Sequence, residues 1–323
     1  MTDLEIPYEK DRKGHYRFFE ILPGSLSWFL LLLPLILSFI NTTVAVIFIL
    51  FYLLVFFARG LAYSSRALIG HSQMKKQMKL DWQGLVDDIE AGKETGRKIE
   101  RPKWHLNNLK WNAKRESAKP SQIVHAIIIA TVNESREVLE PTIQSVVNAE
   151  TDTKKMILVI AYEGRAGKPA ETRVKELIEQ YGSKFRHAMM VKHPAHVEGE
   201  VVGKGANISH AGRALAKYVA SEAIDPADVL VTTLDADNRP DRRYFTAVSY
   251  LFCVVPDPIR AAFQPIAMFT NNIWDAPTLM RVIATGNNLF YIVGTQRPHL
   301  ARNFSAHAQS LRALIDMDFW SVR

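Results

Sequence analysis

A chain of 323 residues has room for one large or two modest domains, and its 48% hydrophobic share is that of a globular protein. A single cysteine, Cys253, rules out an intrachain disulfide, as expected in a reducing compartment. The net charge of +7 suggests nucleic acid at first sight, but residues 59–120 hold fourteen Lys/Arg against seven Asp/Glu and carry essentially all of the excess. With no nucleic-acid-binding signature beside it, a basic stretch next to a hydrophobic segment is better read as facing anionic lipid headgroups, and nucleic acid is set aside as a partner.

Residues 1–20 read as a polar tail of mixed charge. From Ile21 to Ala58 no charged residue occurs, a run of 38 positions. As one helix this would be about 57 Å long, nearly twice the hydrocarbon thickness of a bilayer. Asn41, Thr42 and Thr43 make a natural turn near its middle, so two spans are expected, 22–40 and 43–58, forming a transmembrane hairpin. The run is far longer than the core of a signal peptide. Lys10, Arg12, Lys13 and Arg17 flank one end and Arg59, Arg66, Lys75, Lys76 and Lys79 the other. Both ends then face the cytoplasm, which predicts a multi-pass protein of the cell membrane with everything after residue 60 cytoplasmic. Residues 59–120 form a basic juxtamembrane segment. Its stripe of Leu80, Trp82, Leu85, Val86 and Ile89 suits either an interfacial helix or a solvated connector.

From residue 121 strands and helices alternate, the pattern of a mostly parallel α/β sheet with helices on both faces. Ile123–Thr131 is a continuous apolar run, as a strand covered on both sides should be. Met156–Ala161, His187–Val191 and Val229–Leu234 follow as strands two to four, and Ala261–Pro265 as one more. Helical faces fall between them. The run Gly203, Lys204, Gly205, Ala206, Asn207 reads as a glycine-punctuated loop leading into a helix.

The fourth strand ends in Asp235-Ala236-Asp237, followed by the turn formers Asn238 and Pro240. Ligands of open α/β sheets bind at the carboxyl ends of strands. Two hard oxygen ligands there suit Mg2+ or Mn2+, which take carboxylates together with substrate phosphates. The ends of strands one, two and four bring Thr131 and Glu134, Tyr162 and Glu163, and Asp235 and Asp237 to one edge, with Lys204 close enough to neutralise a phosphate. A second Asp-X-Asp, Asp316 and Asp318, falls at the solvated end of a helix.

These residues together resemble glycosyltransferase family 2, enzymes of GT-A fold. Ala130-Thr131-Val132-Asn133-Glu134 resembles the family's opening motif, Gly203–Asn207 its Gly-Lys-rich loop, and Asp235-Ala236-Asp237 its Asp-X-Asp motif. Asn303-Phe304-Ser305-Ala306-His307 falls where the family begins its acceptor-side helix. The match covers residues 122–323, and the hairpin before it is similar to membrane-embedded polysaccharide synthases. The resemblance implies that Thr131 and Glu134 contact the nucleoside, with Glu163 a weaker candidate for the base. It implies that Asp235 lies near the ribose or diphosphate and Asp237 ligates Mg2+ or Mn2+, with Asp235 as second metal candidate, and that Ser305 and His307 stand on the acceptor side.

Val132 in place of the family's tyrosine and Ala161-Tyr162 in place of its Asp-Asp pair depart from the pattern at the base-selecting positions. The family's catalytic base lies in a Glu-Asp motif that does not occur here and is expected beyond Arg323. The sequence thus predicts a membrane-anchored, metal-dependent and inverting glycosyltransferase. It would take a nucleotide-sugar donor and a polysaccharide or polyprenyl-phosphate lipid acceptor, with partner subunits left open. The alternative is a membrane-tethered module that holds a nucleotide-sugar or a partner without turning it over.

Overall fold

The computed structural model describes residues 7–114, 118–271, 273–300, 303 and 306–322. Two long helices come first, α1 (Gly14–Ile40) and α2 (Thr42–Gln77). The expected turn between them is a single residue. Asn41 adopts an extended backbone, and its side-chain oxygen accepts hydrogen bonds from the backbone N–H groups of Thr43 and Val44, capping α2. Both helices outrun the expected spans: α1 begins inside the polar tail, and α2 continues 19 residues past Ala58. No break falls there because the basic residues after Ala58 are good helix formers and the next proline is Pro102. Both are long and apolar enough to cross a membrane, and only Ala45 and Gly70 along them are buried. Their apolar surface is therefore not the core of the rest of the protein.

The stripe from Leu80 to Ile89 has a different fate from either one expected. It lies along and just ahead of α3 (Trp82–Ala91), which with α4 (Lys103–Asn112) is packed into the α/β body. Asp81 caps α3 by accepting from the Gly84 N–H, and Gly92, with a left-handed φ of 66°, ends it. Between α3 and α4, buried Asp88 accepts from the guanidinium of Arg101 at 2.6 Å and contacts Nε2 of His105 at 3.1 Å. His105 in turn meets the Tyr250 hydroxyl at 2.9 Å.

Among the described residues the sheet has six strands: β1 (Val124–Thr131), β2 (Met156–Glu163), β3 (His187–His193), β4 (Val229–Asp235), β5 (Ala262–Phe263) and β6 (His307–Ser310), in the spatial order 3-2-1-4-6-5. The first four are parallel, and β6 runs antiparallel to both β4 and β5. Alternation in the strands sorts the core into two layers. Ile127 and Ile129 face one side with α5 (Arg136–Val147) and α6 (Gly167–Tyr181). Ala126 and Ile128 face the other with α7 (Lys204–Ser221) and α10 (Leu311–Asp316). Helix α8 (Tyr244–Val254) covers the first face near β4 and meets α3 and α4 there. Helix α9 (Thr278–Gly294) lies outside these layers, against α2.

Residues 307–310 were expected near the start of a helix. They form β6 instead, because their backbone completes the open edge of β4, and the helix starts four residues later with Ser310 as its cap. Ser305 lies outside the described residues. Asp316 ends α10 and pairs with Arg312, while Asp318 pairs with Arg213 on α7.

Candidate functional site

The order 3-2-1-4 places the topological switch point between β1 and β4, since the chain leaves β1 in one direction and returns to pair with its other edge at β4. At such a point the loops after the two strands diverge and open a crevice. Ala130 stands opposite Asp235 across that pair and Thr131 opposite Tyr162 across the other, so the three strand ends are level. A cleft of about 270 Å³ opens there. Thr131, Glu134, Glu163, Lys204, Asp235 and Asp237 all line it, together with Val132 and Asn207. His307 pairs with Thr233, two positions before Asp235, and is buried at the same sheet edge without lining the cleft. The indole N–H of Trp320 donates to its Nε2 at 3.3 Å.

Glu134 closes the turn after β1. One of its carboxylate oxygens accepts from the Thr131 hydroxyl and from the Val132 backbone N–H, each at 2.7 Å. Partial burial pushes its pKa up, but these hydrogen bonds outweigh it and hold the carboxyl below its ordinary value. Glu134 is therefore ionised at neutral pH and prearranged as an acceptor for N–H or O–H groups of a ligand. Glu163, at the end of β2, is buried and ion-paired with Arg165.

The Asp235–Asp237 turn is held at every peptide. The Asp235 N–H donates to Asn238 Oδ1 at 3.0 Å, the Ala236 carbonyl accepts from Thr142 on α5 at 2.7 Å, and the Asp237 carbonyl accepts from Asn271 at 2.9 Å. Asp235 is the last residue of β4 and Asp237 lies in the turn after it, and both line the cleft with buried Ala236 between them.

Lys204 is not on a loop, as the glycines suggested, but is the first residue of α7, with Gly203 before it in the cap position. Its ammonium lies 2.5 Å from Asp235 Oδ1. Gly205 is required next to it, because a Cβ there would sit 2.6 Å from the carbonyl oxygen of Ser321. One further lining residue has no role implied by the motifs. Asn207 is buried on the first turn of α7 and donates from Nδ2 to the carbonyl of Ala161 at 3.1 Å and, more weakly, to that of Thr131 at 3.5 Å. It ties together the ends of β1 and β2, and its Oδ1 is buried without a partner among the described residues. Its place in the Gly203–Asn207 run was its only signal.

Among the described residues no group of three or more His, Cys, Asp or Glu side chains comes together as a metal cage. Zinc and calcium sites built wholly from protein need such a group. Mg2+ and Mn2+ do not, since one or two carboxylates plus water and phosphate oxygens complete their octahedron. The pair Asp235 and Asp237 fits that kind of ion.

No family model matches the chain, and no curated protein does. Among solved structures, the chain is similar to a mannosyltransferase from Pyrobaculum calidifontis in complex with GDP-mannose and Mn2+, at 15% identity and a TM-score of 0.40, over 66% of this chain and 53% of that one. It is also similar to TarS of S. aureus, residues 1–349, at 12% identity and a TM-score of 0.33, over 61% and 50% of the two chains. The chain spans about half the length of each.

Proposed function

We propose that this chain is a membrane-anchored glycosyltransferase of family 2 with a GT-A-type domain, which takes a sugar from a nucleoside-diphosphate donor. The observation that carries the reading is the convergence of Glu134, Lys204, Asp235 and Asp237 on one cleft at the switch point of a parallel sheet. Acceptors, a cation and paired carboxylates within one crevice are what a nucleoside diphosphate needs.

In this reading Thr131 and Glu134 orient the nucleoside, and Glu163 bounds the base. Asp237, with Asp235, would hold Mg2+ or Mn2+, and the bound ion would supply neutralisation of the charge that builds on the departing diphosphate. Lys204 shares that work as a point charge already aimed into the cleft. The acceptor hydroxyl, of a glycan or a polyprenyl-phosphate lipid, attacks from the opposite face of the sugar in an inverting transfer. Helices α1 and α2 span the cell membrane as a hairpin, and the basic residues at both outer ends keep the catalytic body on the cytoplasmic side.

Calorimetry of nucleoside-diphosphate-sugar binding, with Mn2+ and then with chelator, tests the reading. The full chain should bind only when the metal is present, and Asp237→Ala should abolish that metal-dependent binding. Binding indifferent to both chelator and substitution would remove the metal role.

A further inference from the structure

Helix α9 leaves an apolar stripe exposed. Leu279, Val282, Ile283, Gly286 and Phe290 recur at the spacing of one helical face, and Leu279, Val282 and Phe290 are 72%, 66% and 68% exposed. The residues it buries against the protein are Ile292, Val293 and Asn288, the last only 8% exposed with its Oδ1 accepting from the Phe269 N–H at 2.7 Å. A helix on a globular protein buries its apolar stripe and wets its polar one, so this stripe must meet something apolar.

The structure also indicates what covers it. Helix α9 rests directly on α2: a Cβ at Gly70 would lie 2.6 Å from the Ile292 carbonyl oxygen, and Gln296 donates to Gln73 at 2.8 Å. These contacts hold α9 against the part of α2 that follows the apolar run, beside a hairpin whose apolar surface is almost wholly exposed. A protein partner would have to cover both surfaces with a shaped groove, whereas a bilayer covers both at once. The flanking chemistry agrees. Trp274, 78% exposed, stands at the start of the segment with the Arg281 guanidinium 5.4 Å from its ring centroid, and Arg297 and His299 follow the helix. Tryptophan with arginine is the composition of the headgroup layer.

We infer that α9 is an in-plane membrane helix, its Leu279–Phe290 stripe sunk in the acyl boundary of an anionic leaflet, and that it seats the rim of the cleft at the lipid surface. The link to the rim is on the same segment: Phe269 is bonded to α9 through Asn288, and Asn271 donates to the carbonyl of Asp237. With the thickness of one helix about 10–12 Å, the cleft opens within reach of a headgroup-borne acceptor. This inference rests on the membrane reading of the hairpin, and its test separates the two.

The full chain is reconstituted in vesicles of neutral and anionic lipid, with an environment-sensitive dye on Val282→Cys, Phe290→Cys or, in the hairpin, Leu50→Cys. Cys253 is fully buried, so the native chain serves as the labelling blank. Lipids brominated just below the headgroups should quench the dye at 282 and 290, deep-brominated lipids should quench it at 50, and aqueous iodide should reach none of the three. Quenching at 50 with iodide access at 282 and 290 overturns the in-plane helix and leaves the hairpin intact. Protection of 282 and 290 from both quenchers means that a protein, a second copy included, covers the stripe, and also overturns it. Iodide access at 50 overturns the hairpin reading and the inference with it.

Discussion

The ammonium of Lys204 lies 2.5 Å from an oxygen of Asp235, joining the first turn of α7 to the end of β4 across the cleft. Both side chains are about one-third exposed, so the pair adds little to stability by itself. In the proposed function its use would be positional, the cation being held where a phosphate arrives. Lys204→Ala should weaken binding of a nucleoside diphosphate by about tenfold or more, the worth of a hydrogen bond to a charged group, with little change in the unfolding midpoint. Calorimetric titration beside a denaturant melt reads both quantities. A large stability loss with unchanged affinity would make Lys204 structural.

Asn207 bonds the carbonyls at the ends of β1 and β2 through one amide nitrogen. Asn207→Asp sets a carboxylate oxygen against those carbonyls and should destabilise the domain by about 1–3 kcal/mol, more than Asn207→Ala. Urea melts of the two variants give the order. If the aspartate variant proves the more stable, the amide is not the tie between the strands.

Asp88 is fully buried between Arg101 and His105, and Arg101 with Thr95 holds its carboxyl well below the ordinary range against the cost of burial. Removing it leaves the mostly buried Arg101 guanidinium with the exposed Glu94, 3.7 Å away, as its remaining ion pair and leaves buried His105 without its carboxylate. Asp88→Ala should therefore cost about 3–5 kcal/mol, far more than deleting an exposed ion pair such as Lys175–Glu179. Denaturant unfolding followed by tryptophan emission is suited to the measurement, since Trp82 and Trp104 both pack against Tyr250 at the same junction.

His125 sits inside β1 with Nε2 2.8 Å from the Ser249 hydroxyl, and burial pushes its pKa from 6.5 down to about 4. Between those values the unfolded chain binds a proton that the folded one refuses. Its contribution is therefore complete above about pH 6.5 and is lost as pH falls toward 4, with a slope of about 1.4 kcal/mol per pH unit. His125→Gln, which keeps a hydrogen-bonding group near Ser249 and does not titrate, should flatten the acid limb of the melting temperature. An unchanged limb would assign it to other groups.

The two layers of the body were legible in the chain because β1 and β2 are apolar at consecutive positions, the mark of strands covered on both faces. The hairpin was legible for a similar reason: 38 residues without a charge have few places to go. The position of its turn followed from Asn41, whose side chain can cap the helix behind it. Each of these is a local preference, written in neighbouring residues.

What depended on distant parts of the chain could not be read in this way. Nothing near His307 says strand, and that segment pairs only because β4 offers an open edge. Trp82 and Leu85 look like an interfacial stripe until α8 arrives to bury them. Asn207 acquires a task only when two strand ends lie beside it, and the exposed stripe of α9 is visible only once α2 and the Phe269 segment have taken up its other side. Periodicity and turn chemistry are short-ranged, so the sequence determined the elements and the kind of residue at each strand end. The partners of each face, and the cleft where the strand ends meet, came from loop closure over tens to hundreds of residues, which only the folded chain decides.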